Sequence, residues 1–179
     1  MAIILIAAGF ILYCMLSHFL SYTVLKNRIL KQRKWDLNIC CGNTDGGGIN
    51  ADIVRHKDVP NFRLVKDIYN LPFKTGEFDQ VLCSHTIEHV DDPARFFTEL
   101  KRVGKEVTIV IPPLYDITAA LNFFEHKTLF FSFKKKHCFL PGHARLPLSA
   151  FVHKYLGQSI EASAVPLAAI FSRLRSKVR

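Results

Sequence analysis

The first 25 residues of the chain, from Met1 to Leu25, contain no Asp, Glu, Lys or Arg. A helix needs roughly 20 apolar residues to cross a bilayer, so this segment is long enough. A secretory signal peptide is the alternative, but it normally has a basic start and a small-residue cleavage site, and neither is present. A helix this hydrophobic all round would need a larger domain to bury it. We therefore predict a single transmembrane helix over residues 1–25.

A cluster of basic residues follows the apolar segment directly: Lys26, Arg28, Lys31, Arg33 and Lys34. Positive charge stays on the cytoplasmic side of a membrane, which predicts that the N-terminus is outside and the body lies in the cytoplasm. Anionic lipid headgroups attract such a segment, so the bilayer is an expected partner. Residues 26–35 are interpreted as a basic juxtamembrane linker, with an ordinary solvated linker as the alternative.

The net charge and the cysteines narrow the class of protein further. The formal net charge is +9, which indicates an anionic partner, but the chain shows no aromatic-basic nucleic-acid module, so we expect no nucleic-acid partner. The cysteines number five and lack C-x-x-C spacing. This argues against a disulfide framework or structural zinc and favours a reducing compartment.

The rest of the chain alternates short apolar stretches with loops and one amphipathic helix. We predict five strands in "WDLNICC", "INADIV", "NFRLVKD", "FDQVLCS" and "EVTIVI". Asp92 and Pro93 form a helix start, and "PARFFTELKRV" places Phe96, Phe97, Leu100 and Val103 on one face. Apolar strands with a helix between them predict an α/β sheet buried on both faces. We assign this domain to residues 36–143.

The stretch "SHTIEHV", residues 84–90, reads as H-x-x-E-H, the inverted zinc-protease signature. Such a site needs both histidines on one face of a continuous helix. Here His85 follows a predicted strand at once, and His89 lies in the turn before the capped helix. The sequence therefore argues against a metalloprotease, and no metal is assigned to these residues or to the scattered His126, His137 and His143.

The ends of the predicted strands carry the groups that a nucleoside cofactor needs. In open α/β sheets, ligands bind beyond the carboxyl ends of the strands. A glycine loop begins at Gly42, and Asp52 and Asp67 end the next two strands. A glycine turn allows close approach of a ligand, one acid can accept hydrogen bonds from ribose hydroxyls, and a further acid can hold an adenine amino group.

Two stretches resemble a known family. "LNICCGNTDGGGINADI" resembles the L-N-L-G-C-G…G-W-I-N-x-D opening of class I S-adenosylmethionine-dependent methyltransferases. "DIYNLPFKTGEFDQVLCSHTIEHVDDPARFFTELKRV" is similar to the D-x-x-x-L-P-F…F-D-x-V…H-x-L-E-H-V-x-D-P run of the methyltransferase type 11 group. The likeness covers about residues 36 to 113. It implies a Rossmann-like class I methyltransferase sheet, S-adenosylmethionine as cofactor, and methyl transfer as the reaction.

The resemblance also implies roles for single residues. Cys40 and Gly42 fall in the first motif under the methionine moiety, Asp52 at the ribose-binding acid, and Asp67 with Ile68 at the adenine-contacting pair. Ser84 and His85 fall beside the sulfonium and the substrate, which makes His85 the candidate catalytic base.

Three features depart from the family pattern. Cys40 replaces a glycine and could crowd the cofactor, the first two strands are too close for the usual crossover helix, and the chain after the fifth strand is short. The fold is therefore expected to be shortened. A catalytically silent methyltransferase fold that acts as a scaffold at the membrane is the alternative to an enzyme.

The expected methyl acceptor is a small or lipid-like molecule that the sequence does not identify. Two further segments bear on this acceptor and on the membrane. The region around Phe123, Phe124, Phe130, Phe131 and Phe133, followed by a lysine run, suits a lipid-like acceptor or a membrane-facing lid; a core helix with solvated lysines is the alternative. Residues 144–179 are predicted to be a C-terminal helical segment. Its basic amphipathic pattern fits a membrane surface or packing on the domain.

Overall fold

The computed structural model describes residues 1–147 and 149–152. Its body is a six-stranded sheet, whose strands are β1 (Trp35–Ile39), β2 (Gly47–Asp52), β3 (Phe62–Leu64), β4 (Phe78–Ser84), β5 (Gly104–Val110) and β7 (Lys136–His137). Their order in the sheet is β3-β2-β1-β4-β5-β7. The strands run parallel except β7, which is antiparallel to β5. The predicted α/β class is confirmed.

The main core lies between the sheet and helix α3 (Pro93–Val103), which connects β4 to β5. Asp92 caps this helix by accepting a hydrogen bond from Arg95 N at 3.0 Å, and a proline at the first turn presets the backbone. The helix buries Phe96, Leu100 and Val103 against the central strands. Strand β4 and helix α3 match their predicted bounds, because a short apolar stretch and a helix cap are signals carried by neighbouring residues.

The connection between the parallel strands β1 and β2 contains no helix and consists of residues 40–46. Two buried asparagines compensate for the missing helix. Asn38 Nδ2 donates to Asn50 Oδ1 at 3.0 Å and to Thr44 O at 2.9 Å, and Gly46 N donates to Asn50 Oδ1 at 2.9 Å. Because these bonds satisfy buried polar groups, the loop covers this part of the sheet at low cost.

The N-terminal helix, Ala2–Leu30, is by length and composition apolar enough to cross a membrane, and most of its side chains are exposed. It consists of α1 (Ala2–His18), a π-helical segment (Phe19–Leu25) and α2 (Lys26–Leu30). The helix therefore continues into the predicted basic linker. It does so because Ile29 packs with Trp35, Leu82 and Val110 in a small second core.

After β5 the described chain adds only β7 to the main sheet, so the fold is shortened as expected. Strands β6 (Thr128–Phe130) and β8 (His143–Arg145) form a separate antiparallel pair, and α4 (Ile117–Ala120) and α5 (Ser149–Val152) are short helices. Phe130 is buried, whereas Phe124, Phe131 and Phe133 are exposed. Of the predicted C-terminal helical segment, residues 144–179, the structure describes only residues 144–147 and 149–152. The rest of that prediction lies outside the described residues.

Candidate active site

Gly42 and Asp52 meet at the carboxyl ends of β1 and β2. Gly42 N donates to Asp52 Oδ2 at 2.8 Å, and Ile53 N donates to Asp52 Oδ1 at 2.7 Å. A carboxylate has about four lone-pair sites, so each oxygen can still accept a bond from a ribose hydroxyl. Gly42 has φ +53° and open space where a Cβ would lie. These residues fit a nucleoside cofactor.

Asp67 and Ile68 lie in the loop that follows β3. Asp67 is exposed, and its Oδ1 accepts a hydrogen bond from Tyr69 N at 2.8 Å. Ile68 is half-buried and packs against the main core. An accessible carboxylate beside a fixed apolar side chain is the arrangement expected for holding an adenine ring.

Cys40 has the left-handed backbone conformation, with φ 52°, that the family's glycine would adopt without strain. Its side chain packs against the main core. Burial raises the pKa of the thiol well above its usual value, and nearby Cys83 and Asp52 add to the effect. Cys40 is therefore a core thiol rather than a nucleophile.

Ser84 and His85 stand at the carboxyl end of β4, as the sequence predicts. Ser84 Oγ is buried, and within the described part of the chain it has no hydrogen-bond partner. His85 has φ 55°, and its backbone N donates to Val110 O at 2.8 Å. His89 lies in a turn and not on a helix. The two histidines of the H-x-x-E-H motif therefore do not share a helix face, as expected.

The His85 ring lies between the carboxylate of Glu88 and the amino group of Lys135. Its Nδ1 lies 3.0 Å from Glu88 Oε1, and its Nε2 lies 2.7 Å from Lys135 Nζ. Because an ammonium group can only donate, Nε2 must accept and the ring proton is assigned to Nδ1, which donates to Glu88. Lys135 Nζ also donates to Ser21 Oγ at 3.0 Å, so this chain of bonds joins the body to the N-terminal helix.

The pKa values of His85 and Lys135 are shifted mainly by burial. Burial lowers the pKa of His85, although Glu88 acts to raise it, so the ring is neutral. Burial also lowers the pKa of Lys135 to about 8, against the attraction of Glu88 and Asp116. Solvated lysines are one of the alternatives that the sequence leaves open for this run, yet only 6% of Lys135 is exposed. Nothing in the local lysine-run pattern distinguishes it from its neighbours.

A cavity of about 450 Å³ lies between the N-terminal helix and the body, next to His85. The helix side is mostly apolar and includes Phe10, Ile11 and Met15, and the body side includes Asn122, Glu125 and His126. Its volume is within the range of small-molecule sites. The cavity can therefore take a molecule with an apolar part against the helix and a polar end near His85.

Two more polar contacts hold the helix against the body at this cavity. His18 Nδ1 lies 3.2 Å from Asp116 Oδ1, and Tyr13 Oη donates to Tyr115 O at 2.8 Å. The His85 ring is also tilted against Tyr22 at 5.1 Å between ring centroids. Sequence reasoning missed these partners because about a hundred residues separate the two sides.

Comparison with known protein families agrees with the motifs. A family model described as a methyltransferase domain matches residues 41–111. No curated protein matches the chain. A solved S-adenosylmethionine-dependent methyltransferase from Thermotoga maritima is 22% identical, with a TM-score of 0.48, and the match covers 67% of this chain and 69% of that one.

A methyltransferase from Aquifex aeolicus is 17% identical with a TM-score of 0.39, and the match covers 52% of this chain and 66% of that one. The chain thus spans slightly less than two thirds of that protein's length. At these identities the structures say nothing about the acceptor of this chain. The motif run and the family match agree that residues 41–111 are similar to a methyltransferase domain, and the mostly parallel sheet is the Rossmann-like arrangement that this similarity implies.

Proposed function

We propose that this protein is a membrane-anchored methyltransferase that transfers a methyl group from S-adenosylmethionine to a lipid-like acceptor. The observation that carries the proposal is the cavity beside His85, because one of its walls is the apolar N-terminal helix. An acceptor held there has its apolar part against Phe10, Ile11 and Met15. Its polar end then lies near the carboxyl edge of the sheet, where the cofactor residues are.

The cofactor residues have separate tasks in this proposal. Asp52 binds the ribose hydroxyls, Asp67 and Ile68 hold the adenine, and Gly42 allows the methionine moiety to approach the backbone. Ser84 Oγ, which is buried without a partner among the described residues, is available to the cofactor or the acceptor. When bound, S-adenosylmethionine supplies an electrophilic methyl group.

The chain contributes mainly by positioning the acceptor and excluding water. His85 is the candidate proton acceptor, since it lines the cavity and Glu88 fixes its ring. In the structure Lys135 Nζ donates a hydrogen bond to His85 Nε2. The acceptor must therefore displace Lys135 from His85 before the ring can take a proton.

The membrane anchor places the cavity within reach of lipid. The cavity-lining residues Phe10, Ile11 and Met15 belong to the same apolar helix that is proposed to cross the bilayer. A lipid-like acceptor then enters the cavity from the bilayer itself.

The proposed topology is a single span with the N-terminus outside and the body in the cytoplasm. Carbonate extraction should leave the protein in the membrane fraction. Protease added to sealed vesicles with the cytoplasmic side out should digest the body. Release of the protein into the supernatant, or protection of the body, would contradict this topology.

The transfer reaction is tested with the full chain in nanodiscs of native lipid and S-adenosylmethionine labelled in its methyl group. We expect label in the organic phase. Met15→Trp, which narrows the cavity from the helix side, should abolish transfer while cofactor binding is unchanged. Leu16→Trp is the matched control, since Leu16 is similarly exposed on the helix and does not line the cavity.

Label that appears only in water-soluble products, or equal loss in both tryptophan variants, would rule out a lipid-like acceptor in this cavity. The second candidate function is a silent methyltransferase fold that acts as a scaffold. It is favoured by the hydrogen bonds that already occupy both oxygens of Asp52 and by Lys135 on His85. Cofactor binding without any transfer, or no cofactor binding at all, would support the scaffold.

A further inference from the structure

Two buried polar atoms near the cavity have no hydrogen-bond partner in the part of the chain that the structure describes. They are Oε2 of Glu88, which is fully buried, and Nδ1 of His126, which is 5% exposed. A buried polar atom without a partner destabilises the fold, and more so when the group is charged. Such atoms need an explanation, and an ion is one of the ordinary ones.

His89 completes a cluster with these two residues. Glu88, His89 and His126 each offer one ligand atom, and these atoms lie within 4.8 Å of one another. His89 Nδ1 lies 2.8 Å from Glu125 O and therefore donates to it, which leaves Nε2 as a lone-pair nitrogen. Metal-binding histidines are commonly oriented in this way, by a hydrogen bond from the other ring nitrogen to a backbone carbonyl.

The backbone keeps the two segments of this cluster together. Lys127 N and Thr128 N donate to Glu88 O at 2.8 Å and 3.1 Å. The rings of His89 and His126 are perpendicular, with centroids 4.7 Å apart. Glu88 Oε1 is already held by His85, so only Oε2 is left to face the histidines.

We propose that Glu88, His89 and His126 bind a divalent transition-metal ion of the zinc class. Two imidazole nitrogens and one carboxylate oxygen suit Zn²⁺, with a fourth position open to water or another ligand. Ligand atoms around a tetrahedral zinc ion are about 3.3 Å apart. In the structure the three ligand atoms lie within 4.8 Å of one another. Binding of the ion must therefore draw these side chains closer together.

This site differs from the one that the H-x-x-E-H motif suggests. In the protease pattern the two histidines of the motif are ligands and the glutamate is the base. Here His85 is turned toward Lys135, and the second histidine ligand comes from His126, 37 positions after His89. Since His126 also lines the cavity, the ion would fix part of the wall that meets the acceptor.

The test is metal titration of the full chain in detergent, purified through a tag without histidine and stripped with a chelator. We expect one equivalent of Zn²⁺ per chain, and with Co²⁺ a visible absorption typical of nitrogen and oxygen ligands. His126→Ala should weaken binding at least a hundredfold. His143→Ala is the control, because His143 is exposed in β8, outside the cluster.

His89→Ala is the second variant, at a half-buried position, in case His126→Ala does not fold. Circular dichroism shows whether each variant is folded, and only folded variants are compared with the wild-type protein. Absence of stoichiometric metal in the folded wild-type protein would overturn the proposal. Unchanged binding in folded His126→Ala and His89→Ala would overturn it as well.

Discussion

The carboxyl edge of the sheet has two halves that are built differently. In the cofactor half, at the ends of β1 to β3, the chain pairs its polar groups with its own nearby backbone, as Asp52 does with Gly42 and Ile53. In the acceptor half, at the end of β4, His85 and Glu88 depend on Lys135 and on the N-terminal helix. The acceptor half also contains buried atoms without partners in the described chain.

The difference separates a self-contained binding surface from one that needs the rest of the molecule. The side-chain hydrogen bonds described for the cofactor half join residues twelve or fewer positions apart. The bond from Lys135 to Ser21 spans 114 positions. We therefore expect changes in the cofactor half to act locally on the sheet, and changes in the acceptor half to act on the helix and the cavity.

The largest expected effect is at Gly48 in β2, because the backbone of the neighbouring strand β1 leaves no room for a side chain there. A Cβ at this position would clash with Trp35 O and lie 2.5 Å from Asp36 O, both of which are backbone atoms. Gly48→Ala should lower the free energy of unfolding by about 3 kcal/mol. Thermal unfolding should show this as a fall in Tm of about 10 °C.

Gly142→Ala is the matched control for Gly48→Ala. A Cβ at Gly142 would meet only a Phe131 ring carbon at 3.8 Å, which is ordinary contact. Its Tm should change by less than about 2 °C, as for most surface substitutions. Equal Tm values for the two variants would mean that the close approach of β1 to Gly48 does not limit the stability of the cofactor half.

The next largest effect is expected at Lys135, in the acceptor half. Its pKa in the folded protein is about 8, below the usual 10.5. Below pH 8 the fold must keep a buried ammonium group near Lys26, with Glu88 and Asp116 as the nearby acids. Lys135→Met should therefore raise the free energy of unfolding at pH 7 by about 1–3 kcal/mol.

The sign of the pH dependence provides a second check on Lys135. Between pH 8 and 10.5 the unfolded chain binds this proton and the folded chain does not, so wild-type stability should rise with pH. Chemical denaturation should show that Lys135→Met removes this rise, whereas Lys134→Met, at an exposed neighbour, keeps it. Lower stability of Lys135→Met at pH 7 would mean that the bonds to Ser21 and His85 outweigh the cost of burying the charge.

Local patterns made much of the fold and the cofactor half predictable. A short apolar stretch and a capped start located β4 and α3. Asp52 ends β2 as predicted, whereas Asp67, predicted to end the third strand, lies in the loop after β3, which already ends at Leu64. The same reasoning placed His85 at a strand end and His89 in a turn, and so excluded a shared helix face. These features depend on residues close together in sequence.

The acceptor half was not predictable because its partners are distant in sequence. A lysine run gives no sign that Lys135 is buried while Lys134 is exposed. Scattered histidines give no sign that His126 meets Glu88 and His89. The helix was predicted to end at Leu25, but tertiary packing of Ile29 extends it to Leu30.

Binding of S-adenosylmethionine by the full chain in nanodiscs, followed by calorimetry, tests the central claim most directly. We expect saturable binding by the wild-type protein. Asp52→Ala should weaken it by about tenfold to a hundredfold through the lost bonds to the ribose. If the folded wild-type protein binds no S-adenosylmethionine at about millimolar concentration, a range in which even weak sites bind, the proposed methyltransferase function is wrong.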